Sequence, residues 1–295
     1  MSKKKSVNKK SNIFIVLVVI LAILIVGSRA CRISRRHLNS GSSEIKPETI
    51  YQQSPDTLII KTEEPMPEIS KPDKNILLGK PGSSQRDSLL SSIERKYANR
   101  DGMFMHHEAY DAFIEMHDAA KSDGIELIII SAFRDFVHQR RIWNNKWNGQ
   151  QVLSGNIYAT DIANPVDRAR EILRFSAMPG TSRHHWGTDI DLNSLNNRYF
   201  ESGRGKREYQ WLKENAERFG FCQPYTAKGE GRYQGYEEEK WHWSYKTVAA
   251  VYLRTFADSV SYNDIMGFEG WQTARELNVI ENFVLSVNKD CISGK

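Results

Sequence analysis

The sequence predicts an α+β fold for the larger part of the chain, because helical patterns alternate with few and short strand patterns. In residues 107–123 apolar side chains recur at helical spacing, and Gly124 follows as a helix-ending residue. Residues 126–131, ELIIIS, are almost continuously apolar, as in a strand that is buried on both faces. Residues 188–192, TDIDL, alternate in a way that is typical of a strand whose odd positions share one face.

Further helices are predicted on both sides of these strands. Residues 136–147 repeat large side chains at helical spacing. A short helix is expected from Asn164-Pro165 to about Ser176, since asparagine caps helices and proline is favoured in the first turn. Residues 207–220 read as an amphipathic helix that ends on glycine, and residues 274–287 predict a terminal helix packed on the domain. The few, short strands do not indicate a doubly wound sheet.

The N-terminus predicts a membrane-targeting segment. Five lysines precede the unbroken apolar run of residues 13–26. As a helix, residues 13–28 would span about 24 Å against a hydrocarbon core of about 30 Å, which is between a signal peptide and a short anchor. We expect an uncleaved anchor with the remaining chain outside the inner membrane. A secreted form cleaved after Ala30, or a lipoprotein modified at Cys31, stays an alternative.

The charge distribution argues against a nucleic-acid-binding protein. The formal net charge is +5, from 41 Lys and Arg and 36 Asp and Glu. Nine of those bases lie in residues 1–36, which contain no acid, so 32 bases face 36 acids in the rest of the chain. A mildly acidic body is unsuited to a phosphate backbone, and the basic N-terminus suits a membrane surface.

Composition divides the chain into four segments. Residues 1–36 form the basic, apolar segment, and residues 37–75, rich in Pro, Ser, Glu and Lys, predict a flexible linker. Residues 76–250 are the expected folded domain, and residues 251–295 a C-terminal helical extension packed on it. Cys222 and Cys291 could pair in an oxidising compartment, although free buried thiols are equally compatible with the sequence.

One short stretch concentrates side chains that bind metals. Residues 181–192, TSRHHWGTDIDL, contain His184 in a loop and two aspartates on one face of the following strand. A catalytic zinc site needs three protein ligands and an open position, and His242 in the later segment EEEKWHWSY is the candidate for the third. Glu239 stands three residues before His242, where a carboxylate could take a proton from water. This combination is typical of a metal-dependent hydrolase.

The two segments together resemble a known signature. The pattern is Ser182-x-His184-x-x-Gly187-x-Asp189-x-Asp191, followed by Glu239-x-x-His242. It resembles the VanY-type D-alanyl-D-alanine carboxypeptidases, whose fold is shared with lysostaphin and hedgehog domains. The resemblance covers roughly residues 76–250 and implies a small, mainly antiparallel sheet with flanking helices.

The resemblance also implies roles for individual residues. Zinc would be held by His184, Asp191 and His242. Glu239 would be the general base. Arg134, in a segment SAFR similar to the family's S-G-Y-R, would face the substrate, where it would either pair with a peptide carboxylate or polarise the scissile carbonyl.

Two further residues are expected to contact substrate, and three positions depart from the family pattern. Gln139 and Ser182 are the candidate substrate contacts, while His185 is expected to have no part in the metal site. Asp189 stands where the family usually has alanine, and Ala132 and Phe133 replace glycine and tyrosine. The first departure leaves both aspartates eligible as the ligand.

The function implied is a zinc carboxypeptidase that removes the terminal D-alanine from peptidoglycan stem peptides. An L,D-carboxypeptidase or an endopeptidase on the same cell-wall peptides is the close alternative. A catalytically silent domain that binds peptidoglycan or a protein is the alternative from another class, and the presence of Glu239 argues against it. The sequence indicates no oligomeric state.

Overall fold

The structure is a computed structural model that describes residues 69–229 and 231–292. The predicted membrane segment at residues 1–36 and most of the predicted linker therefore lie outside the described residues. Among the residues that are described, no helix has the length and apolar content needed to cross a membrane.

Helices and short strands alternate along the described chain. In order they are α1 (Lys74–Leu77), α2 (Ser83–Leu89), β1 (Leu90–Ser92), β2 (Phe104–His106), α3 (His107–Ser122), β3 (Ile129–Ser131), α4 (Phe136–Trp147), α5 (Pro165–Ile172), β4 (Asp189–Leu192), α6 (Gly203–Asn215), β5 (Phe221–Cys222), β6 (His242–Tyr245), α7 (Lys246–Ser259) and α8 (Thr273–Glu276). Strands β1 and β2 form an antiparallel pair, and a second sheet has the order β3-β4-β6-β5 with antiparallel neighbours throughout. The predicted α+β class with a small antiparallel sheet is confirmed.

The helix boundaries follow the signals in the sequence. Helix α3 ends just before Gly124, which has a φ of 72° that few other residues adopt at low cost. The side chain of Asn164 caps α5 by accepting from the backbone N–H groups of Val166 and Asp167. Helix α5 ends at Ile172, earlier than expected, and the carbonyl of Arg174 instead accepts from the N–H of Glu237.

Two elements are shorter than the sequence predicts. Strand β3 begins only at Ile129, because the N–H of Ile128 bonds the side chain of Asn193 at 2.6 Å rather than a neighbouring strand. The terminal helix expected over residues 274–287 is interrupted at Asn278, whose φ of 47° is incompatible with a continuing α-helix. Helix α8 stops before it and a short π-helical turn, Ile280–Val284, follows.

The boundary predicted between residues 250 and 251 falls inside α7.

The two faces of the larger sheet have different partners. Ile190 and Leu192 of β4 pack with Trp243 of β6 in a core that also contains side chains of α3 and α6. Because strand residues alternate between faces, Asp189 and Asp191 point away from this core, as do His242 and Ser244 on β6. A second core gathers α1, α4, α5, α7 and the C-terminal residues. The polar face of the sheet is therefore the place where a functional site can form.

A disulfide joins the C-terminal segment to the edge of this sheet. Cys222 of β5 is bonded to Cys291, with 5.6 Å between their Cα atoms and a sequence separation of 69 residues. The pairing that the sequence left open is present. Closing a loop of this length stabilises a fold by about 4 kcal/mol in the chain-entropy treatment.

Candidate metal centre

The loop that carries His184 is shaped by a glycine. His184 lies in a 3-10 turn, Arg183–Trp186, and Gly187 ends that turn with a φ of 72°. A Cβ at position 187 would lie 2.9 Å from the backbone nitrogen of His106, and that same nitrogen donates to the carbonyl of Gly187 at 2.9 Å. Glycine is thus needed both for the backbone angle and for the close approach of β2.

Three side chains bring metal-binding atoms together on the polar face of the sheet. Asp191 Oδ1 lies 3.4 Å from His184 Nε2 and 3.3 Å from His242 Nδ1. Asp191 and His242 are directly opposed in the β4–β6 ladder, so the strand register brings them together. All three residues are buried, and one ligand atom from each lies within 4.8 Å of the others.

The arrangement fits a tetrahedral zinc ion. Ligand atoms at the usual bond lengths of about 2.1 Å would stand about 3.4 Å apart, close to the two separations above. His184 Nε2 and Asp191 Oδ1 are buried and have no hydrogen-bond partner among the described residues. Buried polar atoms rarely lack a bonding partner, and a cation between these two atoms would provide one for both. The donor set of two imidazoles and one carboxylate is one that zinc prefers.

The structure separates the two aspartates. Asp189 Oδ2 accepts from Arg183 Nε at 2.9 Å and faces His242 Nε2 at 2.8 Å. Its Oδ1 accepts from the hydroxyls of Thr188 and Ser244, each at 2.8 Å. Protein donors therefore occupy both oxygens of Asp189, whereas no donor among the described residues bonds Asp191 Oδ1. The geometry places Asp191, not Asp189, in the candidate metal centre.

Glu239 lies beside the centre. Its Oε2 is 3.2 Å from His242 Nδ1, and its backbone N–H donates to the carbonyl of Tyr225 at 2.9 Å. Burial raises the pKa of Glu239 above its usual range, although the contact with His242 opposes the rise. A carboxylate with a raised pKa is better matched to accepting and returning a proton near neutral pH.

His185, which the sequence analysis excluded from the metal site, has a positioning role. Its Nδ1 donates to the carbonyl of Arg134 at 2.6 Å, and its Nε2 accepts from the N–H of Gly180 at 3.0 Å. Burial lowers the pKa of His185 to about 3, so the ring is neutral. It joins the segment that carries Arg134 to the turn that precedes His184.

The expected substrate residues line the same cleft as the metal-binding atoms. This cleft has a volume of about 700 Å³ and is lined among others by Arg134, Gln139, Ser182, His184, Asp191, Glu239 and His242. Arg134 Nε is buried and has no hydrogen-bond partner among the described residues, and Nη1 has only a 3.4 Å contact to Ser131. Gln139 donates to the carbonyl of Ala177 at 2.8 Å and leaves Oε1 unpartnered within the described structure. Both side chains thus retain polar atoms for a ligand.

Some cleft residues were missed by the sequence analysis. Tyr225 packs its ring 4.7 Å from that of His242, and Tyr236 packs on Tyr225 at 4.8 Å. Lys146 reaches the cleft from the last turn of α4 and donates to Ser176. The two tyrosines lie in an irregular segment, where neither periodicity nor motif spacing could have identified them. Trp241 also lines the cleft.

A second cluster of metal-binding side chains is less well arranged. His106, His107 and Glu108 also bring ligand atoms within 4.8 Å of one another. The two imidazole rings are stacked, with centroids 4.6 Å apart and planes inclined by 23°. Ring nitrogens bind metals in the plane of the ring, so nearly parallel planes do not direct both lone pairs to one point. The geometry favours the first cluster as the metal centre.

Comparison with known proteins agrees with the motif. Residues 102–248 match the family model VanY, described as D-alanyl-D-alanine carboxypeptidase. The chain carries a domain of the VanY family. A protein of Bacillus subtilis (strain 168), named "Putative carboxypeptidase YodJ", is 31% identical over 156 residues, which are 52% of this chain and 50% of that protein. A "D-alanyl-D-alanine carboxypeptidase" of Enterococcus faecalis (strain ATCC 700802 / V583) is 29% identical over 137 residues, 46% of each protein.

The chain spans about half the length of these two relatives. Among solved structures, a mutant of the vancomycin resistance D,D-pentapeptidase VanY from a VanB-type cassette, in complex with Zn(II), is 26% identical. The match covers 61% of this chain and 92% of that chain, with a TM-score of 0.42.

Proposed function

We propose that this chain is a zinc-dependent carboxypeptidase that removes the terminal D-alanine from peptidoglycan stem peptides. The observation that carries the proposal is the convergence of His184 Nε2, Asp191 Oδ1 and His242 Nδ1 in a cleft, with Glu239 3.2 Å from the third of these atoms. The match to the VanY family supports the choice of substrate class.

The roles of the residues follow from where they lie. Zinc, held by His184, Asp191 and His242, would lower the pKa of water to about 7 and polarise the scissile carbonyl. Glu239 would take the proton of the attacking water and return it to the departing amine of D-alanine. Arg134 would pair with the terminal carboxylate, because its guanidinium has donors that no described residue uses. Gln139 Oε1 and Ser182 would hold the peptide along the cleft.

A location outside the inner membrane belongs to the proposal. The disulfide between Cys222 and Cys291 supports it, because such bonds persist in oxidising compartments and are rare in the cytosol. In a chain with an N-terminal anchor, the cleft would be held close to newly made cell wall.

The proposal is tested by digestion of defined peptides with the zinc-loaded full chain, followed by mass spectrometry. Loss of one alanine from a pentapeptide ending in D-Ala-D-Ala, abolished by a chelator and restored by zinc, is the expected result. Loss of alanine only from a tetrapeptide ending in a single D-alanine would indicate an L,D-carboxypeptidase instead. Cleavage only of cross-linked peptides would indicate an endopeptidase, and binding without cleavage a silent domain.

Arg134→Ala is expected to raise KM by about 10- to 150-fold with a smaller change in kcat, since a charge-assisted hydrogen bond contributes about 1.5–3 kcal/mol. Steady-state kinetics on the D-Ala-D-Ala peptide and on its amidated twin would measure this. The wild-type chain should favour the free acid, and Arg134→Ala should discriminate much less between the two substrates. Arg134→Lys is the matched control, because it keeps the charge and loses the planar fork. A fall confined to kcat, with discrimination intact, would place Arg134 at the scissile carbonyl.

A further inference from the structure

A buried polar network lies behind His242, on the side away from the candidate metal centre. It consists of Arg183, Thr188, Asp189 and Ser244, of which Arg183 and Asp189 have fully buried side chains. Arg183 donates through Nε to Asp189 Oδ2 at 2.9 Å and through Nη2 to Ser244 Oγ at 2.6 Å. The guanidinium also lies over the ring of Trp186, 4.7 Å from its centroid. These contacts hold Asp189 in one orientation.

Asp189 determines which nitrogen of His242 carries a proton. An ionised carboxylate can only accept, so the 2.8 Å contact between Asp189 Oδ2 and His242 Nε2 requires a proton on Nε2. The ion pair with Arg183 and the two hydroxyl donors on Oδ1 favour the ionised form of Asp189. With Nε2 protonated, Nδ1 is the nitrogen left for a metal, and it is the one that faces Asp191.

The other ligand histidine is held in the opposite way. His184 donates through Nδ1 to the carbonyl of Ala132 at 2.8 Å, which leaves Nε2 for the metal. The two rings therefore offer different nitrogens to a metal, Nε2 in His184 and Nδ1 in His242. In each ring the other nitrogen bonds a fixed protein partner. In His242 that partner is a carboxylate, at the position where the sequence departs from the usual alanine of the family.

We propose that Asp189 is a positioning residue that holds His242 as an Nδ1 ligand, and that Arg183 fixes the orientation of Asp189. The inference rests on the proposed function in taking the bound metal to be zinc. Asp189 is not among the described side chains that line the cleft. Its effect passes through the orientation and basicity of the His242 ring.

The test compares two double variants of the full chain, Arg183→Met/Asp189→Ala and Arg183→Met/Asp189→Asn. Both variants lack Arg183, because removing Asp189 alone would leave the buried guanidinium of Arg183 without its partner charge. They differ in whether the residue at 189 offers His242 an oxygen acceptor. Zinc dissociation constants are measured by competition with a chromophoric chelator, which does not depend on peptidase activity.

Arg183→Met/Asp189→Ala is expected to bind zinc about 10–100-fold more weakly than Arg183→Met/Asp189→Asn, the usual cost of losing such an outer partner. Equal affinities of the two variants, with zinc bound tightly by the wild-type chain, would overturn this inference and leave the proposed function standing. A wild-type chain that binds no zinc would overturn both.

A measurement on the wild-type chain covers the case in which a variant does not fold. Nitrogen-15 spectra of histidine-labelled, zinc-loaded protein should show His242 protonated at Nε2, with the metal at Nδ1. Metal bound at Nε2, or a proton on Nδ1, would refute the role of Asp189 without any substitution in the network.

Discussion

Glu239→Ala is expected to lower kcat by about 10²–10⁴-fold while zinc content and KM stay close to the wild-type values. The reason is that Glu239 lies beside the metal-binding atoms without being one of the three that converge, so its loss removes proton transfer and leaves the centre intact. Steady-state kinetics on a peptide ending in D-Ala-D-Ala, with elemental analysis of the same preparation, would measure both quantities.

Glu239→Gln is the matched variant for this experiment. It keeps the size and hydrogen-bonding reach of the side chain and removes only the capacity to accept a proton at neutral pH. It should lose turnover as Glu239→Ala does. Near-normal turnover in either variant would remove Glu239 as the base and reopen the choice between an enzyme and a binding module.

Asp191→Ala is expected to reduce bound zinc from about one ion per chain to almost none after dialysis. Its Oδ1 lies between the two histidines, 3.4 Å and 3.3 Å from their facing nitrogens, so its removal leaves only two protein ligands. The loss should exceed the 10–100-fold effect expected for an outer partner such as Asp189. Elemental analysis of the folded protein is the direct measurement.

Thermal unfolding gives an independent check on Asp191. A chelator should lower the unfolding midpoint of the wild-type chain, because a ligand that binds only the folded state stabilises it. The midpoint of Asp191→Ala should not respond to the chelator. An Asp191→Ala chain that retains one zinc ion would show that another side chain completes the centre.

The candidate site could be predicted from the sequence largely because its parts lie at characteristic spacings. His184 and Asp191 fall in one short motif, and Glu239 precedes His242 by three residues. The strand pattern alone did not decide which aspartate faces the centre, because positions 189 and 191 share a face of β4, and Asp191 was indicated only by the family resemblance. The difference depends on Arg183 in the preceding turn and Ser244 on another strand, and their contacts with Asp189 exist only in the folded chain.

The fold could be predicted from the sequence only where local signals agree with each other. Helix α3 was predicted well because a long apolar stripe and a terminal glycine agree with each other. The terminal helix was predicted wrongly as continuous, since helical periodicity runs through Asn278 and only the backbone shows its left-handed conformation. Strand β3 was predicted too long, because the side chain of Asn193, distant in sequence, takes the N–H of Ile128.

The direct pairing of Asp191 with His242 makes the metal centre a check on how the sheet is assembled. Side chains along a strand alternate between the two faces of the sheet. If β6 paired with β4 one residue out of register, His242 would therefore point into the apolar core and Trp243 would point into the cleft. A misregistered sheet could then offer no third ligand. If the chain binds zinc as proposed, the ion would stabilise the correct register over a misregistered one by mass action.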